Sequence, residues 1–130
     1  MIVIVIVGVL SATALPNFLG TRDKAAAGAL IGSLQGFAKQ CSTENLTGGG
    51  SLTAQEVSAA GGTMTNGPCL GANTAVTIKN TTAFTAGRVT GLSCGRNSDG
   101  ALQTASSANN FCTFSINADG VITGAWSTVP

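Results

Sequence analysis

The sequence predicts an α+β fold in which one long N-terminal α-helix packs on a small antiparallel β-sheet of three to four strands stapled by two disulfides. Three observations carry that expectation. An uncharged apolar run leads directly into a segment of helical period; β-branched segments separated by Asn-x-Asp-Gly turns fill the later part of the chain; and the four cysteines fall outside any metal-ligand spacing. Residues 1–41 form the helix, with 1–19 its apolar half and 20–41 its amphipathic half, and residues 42–130 form a β-rich globular head. At 130 residues the chain has room for one domain and one appended element.

The apolar half contains Ile2, Val3, Ile4, Val5, Ile6, Val7, Val9, Leu10, Leu15 and Phe18 and no charged residue. Its length approaches the roughly 20 residues that a helix needs to cross a bilayer. A cleaved secretory signal competes with that reading, because Ala12-Thr-Ala14 has the small-residue cleavage pattern. It lacks the basic stretch that opens such signals, and the helical pattern continues past it. Gly8 lowers helix propensity, and Pro16 removes one backbone donor and crowds the carbonyl of Ala12, so the helix is weakest between them.

Beyond Pro16, Ala26, Leu30, Leu34, Phe37 and Cys41 recur at three- and four-residue steps and share one face. Leu30, Leu34 and Phe37 are the expected contacts with the sheet. Gly28, Gly32 and Gly36 make a side-chain-free stripe that is either tolerated glycine or a surface for close approach by a sheet or another helix. Residues 42–68 contain Gly48-Gly-Gly50 and Gly61-Gly62 and read as a long surface loop with a short helical turn near 52–59.

Strands are expected at Thr74-Ala-Val-Thr-Ile-Lys79, Gly87-Arg-Val-Thr-Gly-Leu-Ser-Cys94, Phe111-Cys-Thr-Phe-Ser-Ile116 and Val121-Ile-Thr123. Asn117-Ala-Asp-Gly120 joins the last two as a hairpin, and Asn97-Ser-Asp-Gly100 is a second turn of the same kind. The four cysteines allow three pairings. Cys41-Cys69 with Cys94-Cys112 is favoured because it closes the local loops, in an oxidising compartment.

Charged residues are 8% of the chain and the formal net charge is +1, which leaves no basic footprint for a specific nucleic acid. There is no His and no Tyr, and the acids Asp23, Glu44, Glu56, Asp99 and Asp119 are scattered singly. Neither an enzyme, a cofactor nor a metal is expected from such a set.

The order of an apolar helix, an amphipathic helix, a variable loop and a cysteine-stapled antiparallel sheet resembles the type IV pilins. Residues 6–19, Ile-Val-Gly-Val-Leu-Ser-Ala-Thr-Ala-Leu-Pro-Asn-Phe-Leu, carry the resemblance, with Gly8, Ala14, Leu15, Pro16 and Phe18 at the signature positions. The head is most similar to those of cyanobacterial pilins and their like. The family's mature chains begin with a Phe-Thr-Leu-Ile-Glu-Leu-like hexapeptide that would stand just before Met1, so the chain as given is expected to be a truncated form, also without a leader.

The resemblance implies the type IV pilin fold and a structural subunit of a bacterial surface filament serving motility, adhesion, DNA uptake or flotation. Its partners would be copies of itself, the pilus assembly machinery and a prepilin peptidase, with residence in the inner membrane before assembly. It also implies that residues 1–19 form the filament core and that the Gly8–Pro16 stretch unwinds in the fibre. A pseudopilin of a type II secretion system is the family's alternative, and it often carries calcium near its last strands; Asp99 and Asp119 are isolated here. An alternative of another class is a membrane-anchored binding module that does not polymerise, with Trp126 and Phe84 near its site. Asn45 and Asn80 begin Asn-x-Thr triplets that match the N-glycosylation pattern, a motif that also recurs by chance; modified Ser or Thr is an equal alternative.

Overall fold

The computed structural model describes residues 2–49, 52–66, 69, 76–85, 87–106 and 108–128, except for the side chains of Ile2 and residues 12–19. Met1 and the side chains of Leu15, Pro16 and Phe18 therefore lie outside the described residues, as does the start of the strand expected at 74–79.

Helix α1 (Ile2–Thr47) is continuous over 46 residues, including the backbone of the Gly8–Pro16 stretch. At ~1.5 Å per residue it is about 70 Å long. Its head-bound face is Ala27, Ile31, Leu34, Ala38 and Cys41, all buried, with Leu30 and Phe37 partly buried beside them. The sequence stripe thus packs as expected at Leu30, Leu34, Phe37 and Cys41. Its N-terminal end differs: Ala26 is exposed and Ala27 is buried, because Ala27 meets Val89 and Ala105 in a satellite cluster.

The helix also runs six residues past Cys41. Two long-range contacts hold this end: Ser42 Oγ donates to the Gly120 carbonyl at 2.5 Å, and the Glu44 carboxylate, itself buried, accepts from the Leu52 backbone N–H at 3.1 Å and from Gln40 Nε2 at 3.0 Å. A buried carboxylate is costly unless its oxygens are hydrogen-bonded, and these bonds supply the partners. The helix stops where the Gly48 N–H donates to the Glu44 carbonyl.

The segment expected as a loop holds the helical turn expected near 52–59 and adds a strand. Helix α2 (Ala54–Ala59) starts in a capping box, with Thr53 and Glu56 each bonding the other's backbone N–H. Strand β1 (Gly62–Thr65) follows. Gly62 is there for close approach: a Cβ on it would stand 2.5 Å from Leu34 Cδ2 and 2.8 Å from Val57 Cγ1.

The main sheet adds β2 (Val76–Asn80), and the antiparallel order is completed by strands met later in the chain, β5 (Phe111–Ile116) and β6 (Ile122–Ser127), as β1-β2-β5-β6. Between β2 and β5, β3 (Ser93–Arg96) and β4 (Leu102–Thr104) form a separate two-stranded hairpin. The segment expected as a strand over 87–94 is strand only from Ser93, since Arg88 and Leu92 donate backbone bonds three residues back, to Thr85 and Val89.

Alternation sorts the main sheet. Val76, Ile78, Phe114 and Ile116 face α1 and fill the core with Leu34 and Ala38. Thr65, Thr77, Ser115 and Thr123 stand in register across the other face. Two disulfides, Cys41–Cys69 and Cys94–Cys112, tie α1 to the segment after β1 and β3 to β5. The α+β class with a helix on an antiparallel sheet and two bridges is therefore observed, with the second sheet as an addition.

Candidate functional site

Among the described residues no group of three or more His, Cys, Asp or Glu side chains is placed to hold a metal ion. Asp99 and Asp119 sit apart, in the turns of two different hairpins.

The unusual surface lies on α1. Val3, Ile4, Val5, Ile6, Val7, Val9 and Leu10 are between 53% and 78% exposed. Successive helical residues are turned by about 100°, so a run of this kind is apolar on every side instead of carrying one stripe. A helix of that character is stable when apolar neighbours surround it. Removing the seven side chains from water is worth on the order of 10 kcal/mol. Ser11 Oγ donates to the Val7 carbonyl at 2.8 Å, a back-bond that slightly loosens the ladder just after Gly8.

Among the described residues no helix is long and apolar enough to cross a membrane. The expected span of 1–19 includes Met1 and the side chains of 12–19, which lie outside them. Ile2, Leu15 and Phe18 of the expected filament core share that position.

From Asp23 onward α1 is attached to the head. Asp23 pairs with Arg88 Nη1, a half-exposed ion pair. Beside it a groove of about 280 Å3 opens between α1 and residues 83–85, 88 and 89, lined by Ala26, Ala27, Leu30, Phe84 and Val89. No sequence pattern signals this pairing, since the two charges stand 65 residues apart.

The glycine stripe does not serve close approach by the sheet: Cβ atoms added at Gly28, Gly32 or Gly36 would have nothing within 4 Å. Of the two glycosylation candidates, Asn45 is half-buried near the end of α1. Asn80 is corrected by its surroundings. It is fully buried, its Nδ2 donates to the carbonyls of Thr82 at 2.7 Å and Asn110 at 3.2 Å, and its Oδ1 accepts from the Cys112 N–H at 2.7 Å. A side-chain nitrogen so engaged has no room for a sugar in the folded chain.

Trp126 and Phe84 pack on each other, edge to face, with ring centroids 6.1 Å apart, and Trp126 Nε1 donates to the Gln103 carbonyl at 3.1 Å. Both are partly buried against the satellite cluster of Ala27, Val89 and Ala105. A second cleft, of about 390 Å3, runs between Gln35, Arg96, Leu102 and Phe114.

Comparison with models of protein families, with curated proteins and with solved structures found no match to this chain.

Proposed function

We propose that this chain is the structural subunit of a type IV pilus, polymerising through its apolar N-terminal helix into a bacterial surface filament. The observation that carries the reading is the exposed run at residues 3–10, apolar on all sides, in the first half of a 46-residue helix whose other half is fixed to a disulfide-bonded head. A subunit of this shape buries the run by bundling with copies of itself, and the heads then form the outer wall. The resemblance of residues 6–19 to the pilin signature supports the type IV pilin fold and this use of the helix.

The reading includes residence in the inner membrane, processing by a prepilin peptidase, and delivery by the pilus assembly machinery to an extracellular filament. It assigns the chain no catalytic role. In the free chain α1 is regular across Gly8 and Pro16; in the fibre this stretch is the place where the rod gives way.

The test is assembly of the full chain on removal of detergent, followed by sedimentation and electron microscopy. Thin helical filaments are expected. A variant carrying Val5→Lys and Val9→Lys keeps the head fold and remains unassembled. A chain that stays monomeric in lipid and never sediments as filaments would instead be a membrane-anchored binding module, because the same apolar run also suits a single helix in lipid.

A further inference from the structure

Among the described residues Arg96 is the one charged group lining the cleft between α1 and the β3–β4 hairpin, and no carboxylate pairs with it. Its Nη1 donates to the Gly100 carbonyl at 2.5 Å, which fixes the guanidinium against the hairpin turn. Its other N–H donors are not engaged by the described residues. Asp99, the nearest acid along the chain, stays within that turn, where its Oδ2 accepts from Asn97 Nδ2 at 3.5 Å.

A strand irregularity brings Arg96 to the cleft. Ser93 and Arg96 are three residues apart, and on a regular strand they would point to opposite faces. The β3–β4 register shifts between them and Gly95 takes a φ of +68°, so the strand bulges and both residues line the same cleft. From α1, Gln35 lines it as well, and its half-buried amide bonds to no described residue. Three polar side chains from two elements thus share one space.

The floor beneath them is apolar. Phe114 is buried and Ile122 half-buried on the helix-facing side of the sheet, and Leu102, 57% exposed, adds an apolar edge. A volume of about 390 Å3 lies within the range of small-molecule sites, about 300 to 1,000 Å3. The walls are fixed: the Cys94–Cys112 bridge ties β3 to β5, and Gly124 packs against the Cys94 backbone, which keeps the hairpin on the sheet. A site shaped in advance loses little freedom when it is filled.

We propose that this cleft binds a small monocarboxylate with an apolar body, its carboxylate on the Arg96 guanidinium and its body over Phe114, Ile122 and Leu102. The planar fork of a guanidinium matches a carboxylate through two parallel N–H···O bonds. The Ser93 hydroxyl and the Gln35 amide supply further donors, and the apolar floor disfavours a ligand charged at both ends. The site belongs to a single head and is independent of the filament reading.

The test is isothermal titration calorimetry of the full chain in detergent with phenylpropanoate. Saturable binding is expected, weakening as salt is added. Phenylpropanol, the same body with a neutral hydroxyl, should bind about tenfold more weakly, and so should phenylpropanoate to Arg96→Gln, because each change removes the charge-assisted bonds. Arg22→Gln, which removes an equal charge outside the cleft, should bind as the natural chain does. Leu102→Trp, at an exposed position, should fill the cleft and abolish binding with the unfolding midpoint unchanged. Absence of saturable binding overturns the proposal. So does equal binding by Arg96→Gln and the natural chain, the result that uptake by the apolar end of α1 or by detergent would give. Equal losses in Arg96→Gln and Arg22→Gln, or full binding by Leu102→Trp, would overturn it too.

Discussion

Gly124 lies against the backbone of Cys94 so closely that a Cβ on Gly124 would stand 2.0 Å from the Cys94 carbonyl oxygen and 2.9 Å from the Gly95 Cα. The obstacle is main chain on both sides, so no side-chain rotation relieves it. This contact docks the β3–β4 hairpin onto β6, and the Cys94–Cys112 bridge fastens the same hairpin to β5.

Gly124→Ala should therefore destabilise the head by roughly 3 kcal/mol, the upper end of the usual cost of overpacking. Chemical denaturation of the oxidised chain checks it, with Ala125→Ser at the exposed neighbouring position as a control that changes little. Equal midpoints for the two variants would count against the packing described here.

Asn80→Ala should cost about 3 kcal/mol, because it leaves the buried Cys112 N–H without its partner and removes the bonds to the Thr82 and Asn110 carbonyls. Asn80→Asp should be no better, since a carboxylate cannot donate to Thr82 and Asn110. Thermal unfolding of both variants reads this. The same position should carry no glycan in protein recovered from cells, a point intact-mass analysis settles.

Thr63 gives the opposite sign. Its Oγ1 is buried and has no hydrogen-bond partner among the described residues. Thr63→Val keeps the shape, suits a strand, and removes the unpaired hydroxyl, so the head should gain about 1 kcal/mol. A lower unfolding midpoint would show that the hydroxyl has a partner.

The α2 cap should be sensitive to acid. The backbone N–H of Thr53, and then its side-chain hydroxyl, hold the Glu56 carboxyl below its ordinary value of 4.5. A group whose folded value is lowered contributes stability that is present above the ordinary value and lost as pH falls through the folded one. Glu56→Ala should thus be less stable than the natural chain at neutral pH, and the difference should close on acidification below 4.5. Denaturation curves of both proteins across that range test it; a gap that persists in acid would mean the carboxyl acts through packing alone.

Local chemistry made much of this fold legible. Asn117-Ala-Asp-Gly120 and Asn97-Ser-Asp-Gly100 are turns whose residues satisfy their own backbone, as with Asn117 Oδ1 accepting from the Val121 N–H, and both hairpins form where the sequence puts them. Leu34 and Cys41 are buried because helical period is a property of adjacent residues. What was hidden depends on distant partners. Residues 42–47 have no apolar pattern, and they stay helical through bonds from Glu44 to Leu52 and from Ser42 to Gly120. Gly62 looks like loop glycine until Leu34 and Val57 are seen beside it. Asn80 is indistinguishable in sequence from an exposed sequon, and the Arg88 partner of Asp23 comes from a loop that no periodicity describes. The apolar surface at 3–10 could be read directly from its run of Ile, Val and Leu; the groove of the head could not.

The Cys41–Cys69 bridge also decides what happens when the molecule is pulled. Tension entering at the apolar end of α1 travels along the rod and first loads the Asp23–Arg88 pair, then Ala27, Ile31 and Leu34, which hold the head by packing. These contacts can peel in sequence, as a strip lifts from a surface. At Cys41 the peeling front meets a covalent bond, and the load passes to Cys69 without reaching the Glu44 and Ser42 contacts behind it. The last turns of the helix stay seated as a fixed edge, from which the strip can lie down again once the tension drops. A head built this way should yield under strain and recover, while in a reduced one the load would pass on to the Ser42 and Glu44 contacts.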